Sequence, residues 1–138
     1  MAYFRAIGSA ICNLDFPRFG SGNAKRDFTF IDDVIDSVIL LERQLSQMNF
    51  GSIDVVNIGG GNPISINEML GIIKKQFSDK PHVVELPKSE EDLEMTYCDS
   101  TLLNRLIGKD DFTSLEDGLM KTIDWFKGID QTEISAWL

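Results

Sequence analysis

Residues 26–34 constrain the fold most strongly, because they join a glycine-rich turn at 19–23 to the longest helical pattern in the chain. The aromatic residues of this segment alternate with polar ones, which predicts a short half-buried strand at 28–30. Asp32 or Asp33 can cap the helix that follows, since a carboxylate accepts hydrogen bonds from the free N–H groups of a helix start. The segment therefore predicts a turn, a strand and a capped helix in succession.

Arg26 stands at the beginning of this segment, directly behind the turn. Its planar guanidinium suits a phosphate or a carboxylate, which it can hold through two parallel hydrogen bonds. The alternative is an ordinary surface ion pair with Asp27, Asp32 or Asp33 that only holds the loop. The residue types alone leave both interpretations open.

Hydrophobic periodicity predicts five helices, and short apolar runs predict strands. Strands are expected at 54–58 and 82–86, with an extended stretch at 95–98. The three glycines at 59–61 lack the spacing of a phosphate-binding fingerprint, so they predict a sharp turn between strand and helix. The helices are predicted over the first dozen residues, along the apolar stripe of Val34, Val38, Leu41 and Leu45 widened by Ile35 and Ile39, after the capping box of Ser65 and Glu68, after Asp99 or Ser100, and after Ser114.

The composition is that of one globular domain, with 138 residues of which 43% are hydrophobic and 25% charged. A net charge of −9 argues against a nucleic-acid or anionic-membrane partner, because both require a basic face. Cys12, Cys98 and the single histidine, His82, are isolated, so we expect no metal site and two buried or half-buried thiols in a reducing compartment. Without a long apolar run, the cytoplasm is the expected location.

Three motifs carry a resemblance to a known family: F-G-S-G-N-A-K-R-D-F-T-F-I-D-D-V at 19–34, V-N-I-G at 56–59, and the pattern that ends at Trp125. They resemble the extended short-chain dehydrogenase/reductase enzymes that act on sugar nucleotides, most closely the UDP-glucuronate and UDP-N-acetylglucosamine 4-epimerases. The implied fold class is α/β: a mainly helical portion with a few short strands, the C-terminal part of an extended Rossmann-type epimerase without its N-terminal dinucleotide-binding core. The implied domains are a substrate-side C-terminal domain at 1–126 and a weakly helical tail at 127–138.

The resemblance also implies a substrate site. The residue at the position of Arg26 binds the nucleotide diphosphate in this family, and those at Pro17, Arg18 and Phe19 lie along the nucleotide base. The residue at Asp92 holds a ribose hydroxyl or its neighbours. No catalytic residue and no metal ligand is implied for this chain.

The loop that contains Asp92 departs from the family pattern. Glu91 replaces the usual glycine, and Ser89 or Glu90 stands where a basic residue is common, although Lys88 is near enough to substitute. Each extra carboxylate beside a diphosphate costs about 1 kcal/mol through repulsion. We therefore expect UDP-sugar binding to be weak or absent in the isolated chain.

The family reaction transfers a hydride from the sugar C4 to bound NAD. It requires a glycine-rich fingerprint for the NAD pyrophosphate and a Tyr-x-x-x-Lys pair as acid and base. The residue four positions after Tyr3 is Ile7, and the one after Tyr97 is Thr101, so neither tyrosine has its lysine. We expect this chain not to catalyse the reaction alone, and NAD not to bind it alone.

The prediction for function is the UDP-sugar-binding part of an NAD-dependent epimerase or dehydratase, either excised from a longer enzyme or completed by a separate Rossmann-bearing chain. The first alternative is a non-catalytic remnant or association module that binds no sugar nucleotide. The second is a fragment of a dTDP-glucose dehydratase or a UDP-glucuronate decarboxylase. The strand at 55–58, without the parallel sheet that surrounds it in the family, predicts self-association or pairing with 82–86.

Overall fold

The computed structural model describes residues 1–45, 55–88, 90 and 92–138. These residues form a mainly helical α/β arrangement, which confirms the predicted fold class. The strands are β1 Phe16–Phe19, β2 Lys25–Asp27, β3 Pro63–Ser65, β4 Val83–Leu86 and β5 Met95–Thr96. The helices are α1 Ala2–Cys12, α2 Ile31–Leu45, α3 Ile66–Gln76, α4 Thr101–Ile107, α5 Leu115–Phe126 and α6 Gln131–Ala136. Within the described ranges, no helix has both the length and the apolar character needed to cross a membrane.

The hydrophobic core lies among α1, α3, α5 and α6. The sequence between 127 and 138 contributes to it, because α6 packs against α1 and the side chain of Ile134 is fully buried. The C-terminal segment is therefore packed into the core. The buried members of the core are Ala6, Ile7, Ala10, Phe16, Met69, Leu70, Ile73, Leu119, Ile123, Phe126 and Ile134.

Two small sheets place the loops that surround Arg26. β1 pairs in parallel with β4, and β2 lies between β3, which is antiparallel to it, and β5, which is parallel. Arg26 is the middle residue of the central strand, opposite Ile64 on one side and Thr96 on the other. The β2–β5 pairing also brings in the loop before β5, since the Lys25 N–H donates to the Glu94 carbonyl at 2.8 Å.

The predicted capping box at the start of α3 is present. The Glu68 N–H donates to Ser65 Oγ at 3.1 Å, and the Ser65 N–H donates to Glu68 Oε2 at 3.0 Å. Each bond satisfies a donor that has no partner within the helix. The Ser65 hydroxyl also donates to Glu68 Oε2 at 2.6 Å, and this bond together with that from the Ser65 N–H holds the pKa of Glu68 below its ordinary value.

Replacement of Ser65 by alanine is expected to destabilise the fold by about 1 kcal/mol at neutral pH, the usual cost of losing an N-cap. A carboxyl group whose pKa is lowered on folding stabilises the folded state above its unfolded pKa, and this contribution is lost as the pH falls through the folded value. The difference between Ser65→Ala and the parent should therefore shrink in acid. Urea unfolding at pH 7 and pH 3 measures it, and an equal difference at both pH values would contradict the role of Glu68.

The predicted strand at 54–58 is wrong for the four positions that the structure describes, since 55–58 form no strand. Asp54 lies outside the described residues. A β-branched run only favours a pleated, half-buried surface, and here Val55 is 83% exposed. The expected pairing with 82–86 is also wrong, because β4 pairs with β1.

The strand predicted at 28–30 lies three residues earlier, at β2. Residues 25–27 make the ladder to β3 and β5, whereas the aromatic rings that suggested a strand pack against helices. The Phe28 ring meets Tyr3 of α1 edge-on, with centroids 6.1 Å apart. The Phe30 ring lies beside Gly118 of α5, where an added Cβ would come within 3.3 Å of it.

The helix predicted for the apolar stripe is confirmed as α2, but the stripe faces mostly outward. Ile35, Val38, Ile39 and Leu45 are exposed, with Val38 at 52%. The buried residues of α2 are Asp33 and Ser37, and the Ser37 hydroxyl donates to the Asp33 carbonyl at 2.6 Å. The polar side of α2 therefore packs against the rest of the described chain, and no described residue covers its apolar side.

Candidate functional site

One open cavity of about 680 Å³ is lined by all five residues of the predicted substrate site. We call it the Arg26 cavity. The five residues come from β1, from β2 and from the loop before β5, so the two sheets bring together residues that are up to 75 positions apart in the chain (17 to 92). They are Pro17, Arg18, Phe19, Arg26 and Asp92.

The guanidinium of Arg26 is held by two hydrogen bonds. Its Nη2 donates to Asp92 Oδ1 at 2.6 Å, and its Nη1 donates to the Lys25 carbonyl at 2.7 Å. The two side chains of the ion pair are 26% and 37% exposed, so water and small anions reach the pair. The partner of Arg26 is therefore Asp92, not one of the neighbouring aspartates that the alternative interpretation named.

Two of those neighbouring aspartates accept hydrogen bonds from backbone N–H groups elsewhere in the chain. Asp27 Oδ2 accepts from the N–H groups of Gly61 and Cys98, each at 2.9 Å, and thereby ties the glycine run to the end of β5. Asp33 Oδ2 accepts from the Thr113 N–H at 2.8 Å. These carboxylates hold loops together, which leaves the Arg26 guanidinium turned to Asp92.

The glycine run at 59–61 is a close-packed turn. A Cβ added at Gly59 would lie 2.6 Å from the Cβ of Cys98, so only glycine fits against β5 at this point. The N–H of Gly61 is already used by the Asp27 carboxylate. A pyrophosphate would meet an anion and an occupied donor here, so this turn does not fit the cradle of a dinucleotide.

Arg18 lines the cavity, but its guanidinium is engaged elsewhere. Nε donates to the Gly20 carbonyl at 3.2 Å, Nη1 to Asn67 Oδ1 at 3.0 Å and Nη2 to Glu85 Oε2 at 2.6 Å. Phe19, the next residue, is 52% exposed at the mouth of the cavity. The three bonds of Arg18 therefore fix this side of the cavity, and the exposed ring of Phe19 is available to a ligand.

Tyr3 of α1 also lines the Arg26 cavity, which the sequence did not predict. Burial raises the pKa of its phenol above the ordinary value, because the charged form loses hydration. An acid–base tyrosine needs the opposite shift to work near neutral pH. Tyr3 thus forms part of the wall and is unsuited to the proton transfer of the family reaction.

Lys88, the expected substitute for the family's basic residue, lies in a neighbouring polar cavity of about 460 Å³ beside the turn at 20–24. Its Nζ is 3.2 Å from Glu94 Oε1. Phe19, Ala24 and Asp92 line both cavities. Ser89 and Glu91, the other positions where the loop departs from the family pattern, lie outside the described residues.

The fold defines the class of protein. It superposes on an NAD-dependent NDP-hexosamine 5,6-dehydratase of tunicamycin biosynthesis with a TM-score of 0.80 and 25% identity, over 96% of this chain and 42% of that one. The UDP-glucuronic acid 4-epimerase of Bacillus cereus, solved with UDP-glucuronic acid and NAD, gives a TM-score of 0.78 and 27% identity, over 93% of this chain and 40% of that one. The chain has the fold of a C-terminal portion of these Rossmann-type enzymes.

Its homologues are UDP-glucuronate 4-epimerases and related NAD-dependent epimerases and dehydratases. The UDP-glucuronate 4-epimerase of Thermodesulfobacterium geofontis is 33% identical over 128 residues, which are 92% of this chain and 38% of that relative. The chain thus spans about two fifths of the length of the relatives it matches. No family model matches the chain. The resemblance predicted from the three motifs is confirmed.

Proposed function

We propose that this chain is the sugar-nucleotide-binding part of an NAD-dependent epimerase or dehydratase, and that the Arg26 cavity receives the nucleoside diphosphate of a UDP-sugar. The observation that supports this most is the convergence of Pro17, Arg18, Phe19, Arg26 and Asp92 on one cavity. The mainly acidic chain offers a local cation there, which is what a diphosphate requires.

The ion pair of Arg26 indicates how a diphosphate binds. Asp92 occupies one edge of the guanidinium with a charge-assisted hydrogen bond, in the geometry that a phosphate oxygen would use. The bond to the Lys25 carbonyl keeps the guanidinium plane directed towards the cavity. In the proposed complex a phosphate oxygen takes the place of Asp92 Oδ1, and the released carboxylate accepts from a ribose hydroxyl. Because the ligand must break an existing ion pair, we propose weak binding in the isolated chain.

Replacement of Asp92 by asparagine is expected to raise the affinity for inorganic pyrophosphate about fivefold. The neutral amide no longer competes as an anion for Arg26, and removal of one close, partly screened repulsion is worth about 1 kcal/mol. Calorimetric titration with pyrophosphate measures the effect. Asp36→Asn, at an exposed position of α2 outside the cavity lining, makes the same change of charge, and an equal gain in both variants would contradict the competition.

NAD is proposed to bind outside the described residues of this chain. The Gly61 donor is occupied by Asp27, and Pro63 has no N–H to offer, so the glycine run does not suit a pyrophosphate. The homologous epimerases bind NAD. A Rossmann-bearing unit is therefore proposed to complete the site, and the residues of this chain alone are proposed to be inactive.

The exposed apolar side of α2 supports association in the absence of such a partner. Soluble monomers rarely expose a continuous apolar stripe, and this one includes Ile35, Val38 and Ile39. We expect concentration-dependent self-association of the parent chain by light scattering. The double variant Ile35→Lys, Val38→Lys should stay monomeric, because each buried ammonium would be unpaired.

Leu14→Lys is the matched control for association, since Leu14 is an exposed hydrophobic residue outside α2. It should associate as the parent does. A parent chain that remains a monomer at high concentration, or a control that dissociates as readily as the double variant, would refute association through α2.

The alternative is a non-catalytic remnant or association module. It is supported by the Arg26–Asp92 ion pair itself, which leaves the guanidinium neutralised without a ligand. A dehydratase or decarboxylase fragment is the second alternative, and the similarity to the dehydratase fold supports it.

The half-buried free thiols of Cys12 and Cys98 support a reducing compartment, for which we propose the cytoplasm.

Titration with UDP tests the proposal directly, with Arg26→Ala as the variant that removes the cation. Heat that is saturable and lost in the variant supports a diphosphate site at Arg26. No heat at millimolar UDP from a folded sample favours the remnant.

A further inference from the structure

We propose that Asn67 is a positioning residue for the nucleobase. It holds the turn at 20–24 against Arg18 and so fixes the side of the Arg26 cavity that Pro17, Arg18 and Phe19 form, which we call the aromatic wall. The inference rests on the proposed function, which places the base along Pro17, Arg18 and Phe19. Asn67 lies in the first turn of α3, outside the cavity lining, and the sequence motifs give it no role.

The side chain of Asn67 connects three parts of this wall. Its Nδ2 donates to the Ser21 carbonyl at 3.0 Å and to Asn23 Oδ1 at 3.2 Å, and its Oδ1 accepts from Arg18 Nη1 at 3.0 Å. Its backbone N–H donates to the Gly22 carbonyl at 3.0 Å. Both amide protons and the amide oxygen are therefore used, so the side chain is held in one orientation.

Arg18 links Asn67 to the β1–β4 sheet. The guanidinium bonds to Asn67 on one side and to Glu85 on the other, and Arg18 and Glu85 are also register partners in the β1–β4 pair. Its third bond returns to the Gly20 carbonyl. Phe19 lies between Arg18 and Gly20, so both of its chain neighbours are tied to the same network.

Gly22 shows how closely Asn67 approaches the turn. A Cβ at Gly22 would lie 2.2 Å from Asn67 Oδ1 and 2.7 Å from Arg18 Cδ, and the residue has φ +77°. Both the space and the backbone conformation exclude a side chain. Asn67 and Gly22 are thus fitted to each other, and substitution of either should release the turn.

Fixing the aromatic wall should change how strongly the base of a ligand binds, and not how strongly its phosphates bind. Bases stack on aromatic rings, and a ring that is already in place need not be ordered when the ligand binds. The diphosphate instead meets Arg26, which is anchored in β2 and has no bond to Asn67. Asn67 should therefore matter for UDP and not for pyrophosphate.

Calorimetric titration of the parent chain and Asn67→Ala with UDP and with inorganic pyrophosphate tests this separation. We expect Asn67→Ala to weaken UDP binding about tenfold and to leave pyrophosphate binding within about twofold, since only the pre-ordering of the wall is lost. Arg26→Ala should weaken both ligands. Asn104→Ala, an exposed asparagine of α4, should change neither.

Gly22→Ala provides a second variant on the other side of the contact and should show the same loss for UDP alone. Equal UDP affinity in the parent, Asn67→Ala and Gly22→Ala would overturn the inference and leave the proposed function intact. Equal weakening of UDP and pyrophosphate would also overturn it, because the effect would then be on the fold or on Arg26. A parent chain that binds neither ligand would refute the proposed function and, with it, this inference.

Discussion

Replacement of Arg26 by alanine is expected to lower the affinity for UDP about 10- to 100-fold. Arg26 is the guanidinium at the centre of the cavity, and a hydrogen bond to a charged group contributes about 1.5–3 kcal/mol. The variant also leaves Asp92 without the cation that now neutralises it, so the cavity becomes more repulsive to a diphosphate. Titration calorimetry with UDP in the millimolar range measures the loss.

Two further variants separate the shape of Arg26 from its charge. Arg26→Lys keeps the charge but not the planar fork that binds two oxygens, so we expect a loss between those of the parent and alanine. Arg105→Ala removes an arginine from α4 and should bind UDP as the parent does. Undiminished binding by Arg26→Ala would show that the diphosphate does not lie at Arg26.

Replacement of Ile134 by alanine is expected to lower the free energy of unfolding by about 2–5 kcal/mol, the range for removal of a large aliphatic side chain from a packed core. The side chain of Ile134 is fully buried, and its Cγ2 methyl would lie 3.2 Å from a Cβ built at Gly8 of α1. A loss of this size is a large part of the stability of a small domain. Urea unfolding followed by circular dichroism measures it.

Glu133→Ala changes the exposed neighbour on the same helix and should alter stability by less than about 0.5 kcal/mol. The comparison bears on the domain boundary predicted after residue 126. If Ile134→Ala were as stable as the parent, α6 would be an appendage to a domain that ends at 126. The large loss that we expect would extend the domain through α6.

The helices could be predicted because their signals are local. The apolar spacing of α1, the capping box of α3 and the serine that begins α5 each depend on residues within a few positions of one another. The strands are different. β1 and β3 are three or four residues long and contain proline, and the sequence did not predict them. Each exists through its partner, such as Phe16 of β1 opposite Val83 of β4.

The site was predicted from resemblance and not from the chemistry of its residues. Arg26 taken alone suggested either a phosphate or a neighbouring aspartate, and no local pattern pointed to Asp92 as its partner. Asn67 was missed because its role depends on a turn that lies more than 40 positions earlier in the chain. Glycine at position 22 was a signal of a tight turn, but only the structure reveals what fills the space beside it.

Local patterns and the three motifs were enough to predict the class of fold, the helices α1 to α5, the absence of a Tyr-x-x-x-Lys pair and five of the residues that line the candidate site. These follow from local spacing and from motifs, which need no knowledge of distant contacts. Only the folded structure reveals that Arg26 pairs with Asp92 and that Arg18 pairs with Glu85. It also reveals that Ile134 belongs to the core and that the apolar stripe of α2 is exposed. The reason is that each of these depends on which distant segments the strand pairings and helix packing bring into contact.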